Sequence, residues 1–185
     1  MDLFEKTLES REVFEGRLIH VRVDKVELPD GSTSTREIVV HKGAVAIVPM
    51  LDHESIVMVR QYRQAAGRAL LEIPAGTLER GEDPYECARR ELMEEIGYYP
   101  GKLREMFHSY LAPGYSTEML HTFLAEDLRP ASENRDADEF IEVVTVKLAD
   151  AVEMILNDEI NDAKSICGIL LAARSVEKRS NGESE

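Results

Sequence analysis

Glu91, Glu94 and Glu95 stand three and four positions apart, in the run Arg90-Glu91-Leu92-Met93-Glu94-Glu95. Each residue of an α-helix turns about 100°, so the three carboxylates share one arc of a helix surface. Carboxylates this crowded repel one another unless water screens them or a cation sits among them. Hard divalent ions, Mg²⁺ first and Mn²⁺ as a substitute, prefer such oxygen donors. The residues thus offer either a metal-binding helix face or a solvated acidic one. Glu82 lies just ahead of the helix, within reach of the same edge, while Glu86 points to the opposite side and reads as the reciprocal half of a helix cap. Other chemistries lack their signatures. His20, His41, His53, His108 and His121 show no paired spacing of a zinc site, and no Gly-x-Ser-x-Gly elbow or phosphate-binding loop occurs. Cys87 and Cys167 sit in no nucleophile motif, and Cys87 reads as a small packed hydrophobe.

A helix must carry these glutamates, and its ends are marked. Asp83 at the N-cap, Pro84 at the first helical position and Gly97 at the C-terminal cap bracket it. Ahead of it, Ala44–Met50, Ser55–Tyr62 and Ala69–Ile73 read as strands. Gly16–Val40 reads as a β-hairpin turning at Pro29-Asp30-Gly31, with a bulge or strong twist where the apolar phase slips between Val23 and Val26. Strands are expected at Lys102–Ser109, Met119–Leu124 and Phe140–Lys147. Helices are expected at Ala149–Leu156 and at 162–177, the second opened by Asn161 or Asp162. This order predicts an α+β domain, an α/β/α sandwich on a mixed central sheet, with a polar tail from Lys178.

Composition narrows the class. Of 185 residues, 43% are hydrophobic, enough for a buried core in one domain, and the formal charge is −14. Such acidity argues against a duplex-binding surface, because phosphate backbones attract Lys and Arg, so nucleic acid is excluded as the expected partner. No apolar run approaches the roughly 20 residues that span a bilayer. The opening MDLFEKTLES is charged throughout rather than signal-like, so a soluble cytoplasmic protein is expected, with no membrane partner.

The full stretch is Gly76, five residues, Glu82, seven residues, Arg90-Glu91-Leu92, one residue, Glu94-Glu95, one residue, Gly97. It resembles the signature of the Nudix hydrolases at every fixed position; Tyr98 stands where that family carries an aliphatic residue. The resemblance implies a loop–helix–loop presenting metal ligands: Glu91 and Glu95 as principal ligands, Glu94 assisting, and the carbonyl of Ala75 as a further donor. It implies that Arg90 orients these glutamates by charge-assisted hydrogen bonds, and that Gly76 permits the turn from strand to loop.

Pro113, sixteen residues after Gly97, sits in Leu111-Ala112-Pro113-Gly114-Tyr115-Ser116-Thr117-Glu118 at the offset that looks like the ADP-ribose pyrophosphatase subgroup. Arg36-Glu37, Gln61-Tyr62-Arg63 and Leu71-Glu72-Ile73-Pro74-Ala75-Gly76 look similar too. That resemblance implies Mg²⁺-dependent hydrolysis of ADP-ribose to AMP and ribose 5-phosphate. Arg36 and Arg63 become candidates for gripping the diphosphate or terminal ribose, and Glu72 for a hydrogen bond to adenine or ribose. Phe14 could stack on adenine, against its reading as a core residue of the first strand. The general base is expected from the loop Ala131–Glu139, with Glu139 preferred over Glu133, Asp136 and Asp138. A nucleotide sugar or dinucleotide pyrophosphatase, and a non-catalytic nucleotide sensor, are the rival readings. A homodimer is implied, the hairpin region 1–42 packing across the partner, followed by a Nudix domain over 43–178 and a tail over 179–185.

Overall fold

The structure is a computed structural model and describes residues 2–131 and 140–180. Thirteen elements follow in order: β1 (Lys6–Glu15), β2 (His20–Glu27), β3 (Thr33–Val40), β4 (Ala44–Pro49), β5 (Ser55–Arg63), β6 (Arg68–Glu72), β7 (Ala75–Thr77), α1 (Pro84–Ile96), β8 (Tyr98–Tyr110), β9 (Met119–Pro130), β10 (Ile141–Lys147), α2 (Leu148–Leu156) and α3 (Ala163–Ser180). They form two compact units, one from residues 1–43 with 109–120, the other from 44–108 with 121–185.

The first unit is built on an antiparallel sheet in the order β1-β2-β3. Its turn works as the residues require: Gly31 adopts φ 84° and its N–H donates to Leu28 O. Two expectations change here. Lys6–Glu15 forms an additional strand whose residues are all exposed, so no apolar alternation marked it. The bulges lie in β1, between Thr7 and Glu9 and between Glu12 and Phe14, whereas β2 pairs with β3 without a slip. The apolar phase slips in β2 because Asp24 takes a buried place beside Val26, held by Ser10 and Arg22.

The second unit holds the sheets β10-β5-β6 and β7-β4-β9-β8. All six residues of β4 are buried. Because side chains alternate, Val45 and Ile47 meet Cys87, Ala88, Leu92 and Ile96 of α1, while Val48 lies on the face that α3 covers through Gly168. A strand buried on both faces between helices is the α/β/α layering expected, on mixed sheets. A Cβ at Gly168 would press on Ile73 and Val48, so the glycine sets how closely α3 approaches. Among the described residues no helix is long and apolar enough to cross a membrane.

Helix α1 starts and stops where its caps dictate. Asp83 accepts from the N–H groups of Tyr85 and Glu86, and Gly97 closes the helix at φ 71° with its N–H on Leu92 O and Met93 O. Glu86 does not serve as the reciprocal cap expected of it; its carboxylate takes Arg89 at 2.5 Å. Further on, α3 runs to Ser180, past the expected start of the tail, and Asp162 opens it by accepting from Ser165 N–H. Replacing Gly97 with Ala should cost about 1–2 kcal/mol, because an L side chain is strained in the left-handed region. Chemical denaturation of the two proteins checks this; an unchanged midpoint would count against the cap.

Candidate metal and nucleotide site

Strand β7 pairs with β4 through Ala75–Ala46, Gly76–Val45 and Thr77–Ala44, and Pro74 O accepts from Ile47 N–H. This fixes a short backbone segment beside α1. Ala75 N–H donates to Glu95 Oε2 at 3.1 Å, and Glu95 is only 3% exposed. At Gly76 an added Cβ would coincide with the Glu91 carboxylate. Gly76 lies within β7 and is not at positive φ, so the turn expected of it is not its role; the glycine leaves the space that the Glu91 carboxylate occupies.

Arg90 organises the remaining carboxylates. Its Nη1 donates to Glu91 Oε1 at 2.6 Å and to Glu94 Oε2 at 3.0 Å. Its Nε and Nη2 each reach Glu82 at 3.0 Å, and Nη2 also donates to Thr77 O. Glu82 raises the Arg90 pKa further above its usual value, and burial only partly opposes that. The reverse effect holds the Glu82 carboxyl down at about 2: the Arg90 hydrogen bonds lower it, burial opposes, and the Glu79 N–H assists. Glu82 is thus Arg90's principal partner, and Arg90 ties it to the same edge as Glu91 and Glu94. Burial pushes the Cys87 thiol up, which fits the packed hydrophobe expected.

One guanidinium stands among Glu82, Glu91 and Glu94, with buried Glu95 alongside. Carboxylates in excess of cations, in a partly buried setting, suit oxygen-seeking divalent ions. The donor set fits such ions, and Gly76 leaves the room that Glu91 needs.

A second charged group adjoins. Glu72, buried at the end of β6, accepts from Arg63 Nε at 3.0 Å and Nη2 at 2.6 Å, and Lys164 Nζ lies 3.2 Å away. Burial pulls the Arg63 pKa down, but Glu72, aided by Glu95 and Asp162, outweighs it and the net shift is upward. Lys164 comes from α3 and its second partner Asp162 (2.8 Å) from the residue just ahead of it, an element the sequence could not place beside β6. Ser165, fully buried, accepts from Ile73 N–H at 2.9 Å and ties α3 to the same segment.

The first unit contains Arg36, Phe14 and Pro113. Arg36 donates from Nε and Nη2 to Glu5, at 2.9 and 2.6 Å, and from Nη1 to Ser34 Oγ and Thr35 O. Phe14 is 55% exposed, which overturns its reading as a core residue. Pro113 is exposed in a turn where Tyr115 and Ser116 N–H groups donate to Ala112 O. That segment is joined to β3 by Val39 N–H on Tyr115 O and Thr117 N–H on Val39 O. Glu139, with Glu133, Asp136 and Asp138, lies outside the described residues.

A family profile described as NUDIX domain matches residues 40–168. The chain belongs to the Nudix family. A second profile, described as nucleoside diphosphate sugar hydrolase N-terminal domain, matches residues 5–39 of this Nudix protein. Its sequence is 46% identical to an ADP-ribose pyrophosphatase of Bacillus subtilis over 90% of this chain and 91% of the relative. It is 40% identical to a methanol dehydrogenase activator of Bacillus methanolicus over 89% and 90%. A crystal structure described as an ADP compounds hydrolase superposes with a TM-score of 0.85 at 25% identity, covering both chains fully.

Two outcomes follow from this geometry. Gly76→Ala should displace the Glu91 carboxylate and lower kcat by about a hundredfold with the fold intact; full activity would show that the close approach is dispensable. The Glu82–Arg90 pair lowers the folded pKa, so its stabilisation is complete above about pH 4.5 and fades as pH falls toward about 2. The gap in thermal midpoint between wild type and Glu82→Gln, read without divalent ions, should therefore narrow from about pH 6 to about pH 3. A gap that widened on acidification would contradict the pairing.

Proposed function

We propose that this Nudix enzyme hydrolyses the diphosphate bond of ADP-ribose, giving AMP and ribose 5-phosphate, with Mg²⁺ as its working ion. The observation that carries the reading is the set Glu91, Glu94 and Glu95 gathered on α1 against Ala75 and Gly76. Similarity to an ADP-ribose pyrophosphatase along nine-tenths of the chain supports the choice of substrate. A sensor that only bound nucleotide would have no need of the complete carboxylate set.

Glu91, Glu94, Glu95 and the Ala75 carbonyl would hold the ions. Such ions supply charge neutralisation on the diphosphate and acidify water. The chain's own residues do the rest. Arg90 orients Glu91 and Glu94 through the hydrogen bonds it already makes. Glu72 commits Nε and Nη2 of Arg63, fixing the plane of the guanidinium so that Nη1 can meet a phosphate oxygen. Arg36 would exchange Glu5 for phosphate or ribose, a swap between two anionic partners. The turn at Pro113 would border the substrate. Glu139 would take the proton of the attacking water as its oxygen bonds to phosphorus and the bridging P–O bond breaks.

The substrate is a small nucleoside diphosphate, and a cytoplasmic setting suits it. Two copies would pair through the first unit, which exposes Phe4, Leu8, Val13 and Phe14 along and beside β1. The domain division at 42 and 178 belongs to this proposal. Light scattering of an active, concentrated sample should report a dimer; a fully active monomer would remove that element.

Incubation of ADP-ribose, a nucleotide sugar and a dinucleotide with Mg²⁺ should give the highest kcat/KM for ADP-ribose, with AMP and ribose 5-phosphate as products. A clear preference for another substrate would overturn the assignment while leaving the site intact. Chelation should abolish turnover and added Mg²⁺ restore it. Glu95→Gln should lose at least about a hundredfold in kcat with an unchanged circular dichroism spectrum. Undiminished turnover by that variant would reject the site itself.

A further inference from the structure

The histidines that looked unrelated in the sequence are not all apart. His108 ends the part of β8 that belongs to the second unit, and His121 begins the corresponding part of β9. These strands are neighbours in one sheet, and the chain between them, residues 109–120, leaves for the first unit. Thirteen positions of separation hid the pairing, because cross-strand contacts have no fixed spacing along a chain.

Both rings converge on one oxygen. His121 Nδ1 lies 2.9 Å from Glu105 Oε1, and His108 Nδ1 lies 3.3 Å from the same atom. One ligand atom from each of the three residues falls within 4.8 Å of the others. The rings are not stacked: their centroids are 5.8 Å apart and their planes inclined at 44°. His108 remains 64% exposed, so burial does not account for its position.

We infer that Glu105, His108 and His121 form a second cation site, for a zinc-class divalent ion, distinct from the signature glutamates. Donors bound tetrahedrally at about 2.0–2.2 Å stand roughly 3.3–3.6 Å from each other. The edges of 2.9 and 3.3 Å need to open by at most about 0.7 Å, and the His108–His121 edge lies within 4.8 Å. The donor chemistry separates the two sites. Two imidazole nitrogens and one carboxylate oxygen suit Zn²⁺ or Co²⁺, whereas an all-oxygen set suits Mg²⁺. With three protein ligands and exposed His108 on the rim, water can complete the coordination. An ion here would join β8 to β9 and close the chain segment that carries Pro113, removing loop freedom from the unfolded chain.

A His–Glu–His bridge held only by hydrogen bonds would use the same atoms, and ion titration tells the two apart. The full chain, in Mg²⁺ excess sufficient to fill the signature site, is titrated with Co²⁺ and followed by visible d–d absorption, then back-titrated with Zn²⁺. One equivalent of Co²⁺ should bind with the intense bands of a low-coordinate site, and Zn²⁺ should bleach them. His108→Ala, on an exposed ring, and His121→Gln should each weaken binding at least tenfold, which is about 1.4 kcal/mol. Circular dichroism confirms the fold of each variant. Glu95→Gln should bind Co²⁺ as the wild type does, and His108→Ala should keep its Mg²⁺-dependent hydrolysis. Absence of a Co²⁺ spectrum, equal binding by His108→Ala, or loss of binding in Glu95→Gln would each overturn the assignment.

Discussion

The site rests on one electrostatic constraint: several carboxylates crowd the end of α1 beside β7, with the Arg90 guanidinium among them. Glu95 is buried against the Ala75 N–H, Glu91 fills the space that Gly76 leaves, and Arg90 ties Glu91 and Glu94 to Glu82. Like charges at such range, partly withdrawn from water, are stable only where hydrogen bonds and counter-charge hold them. The surrounding structure supplies the rigidity. Asp83 and Gly97 fix the length of α1, its apolar face is buried on Val45 and Ile47, and β7 is paired to β4 on the far side. The carboxylates proposed as ligands are thereby held in place by the chain's own hydrogen bonds.

The same principle recurs at Glu72. A buried carboxylate there has two cationic partners, Arg63 and Lys164, drawn from β5 and α3. A buried anion left without a partner is costly, so this triad locks three elements at the entrance to the signature segment. Arg63, whose charge also acts on Glu95, links this group to the carboxylates of α1 within the second unit.

Much of this was legible in the chain. The helix could be bounded to the residue because Asp83, Pro84 and Gly97 each act through local backbone geometry, and the shared face of the glutamates follows from helical pitch alone. The partners of Arg90 were half legible: Glu91 and Glu94 lie on the same helix, but Glu82 reaches it only through the loop. Lys164, Ser165 and the pairing of His108 with His121 were invisible, since they depend on which elements the fold makes neighbours. Strand β1 escaped because it is exposed on every residue, so no buried face imprinted an alternation. Phe14 misled for the same reason, an aromatic side chain being read as core where the strand has no core to face.

The most direct test of the central constraint is Mn²⁺ binding by the full-length protein without nucleotide, followed by the electron paramagnetic resonance signal of the free ion. Crowded carboxylates on α1 should bind Mn²⁺ in competition with Mg²⁺. Glu91→Gln should abolish that binding and His108→Ala should leave it unchanged. Wild-type protein that left the free Mn²⁺ signal undiminished, or a Glu91→Gln variant that bound the ion as well as the wild type, would contradict it.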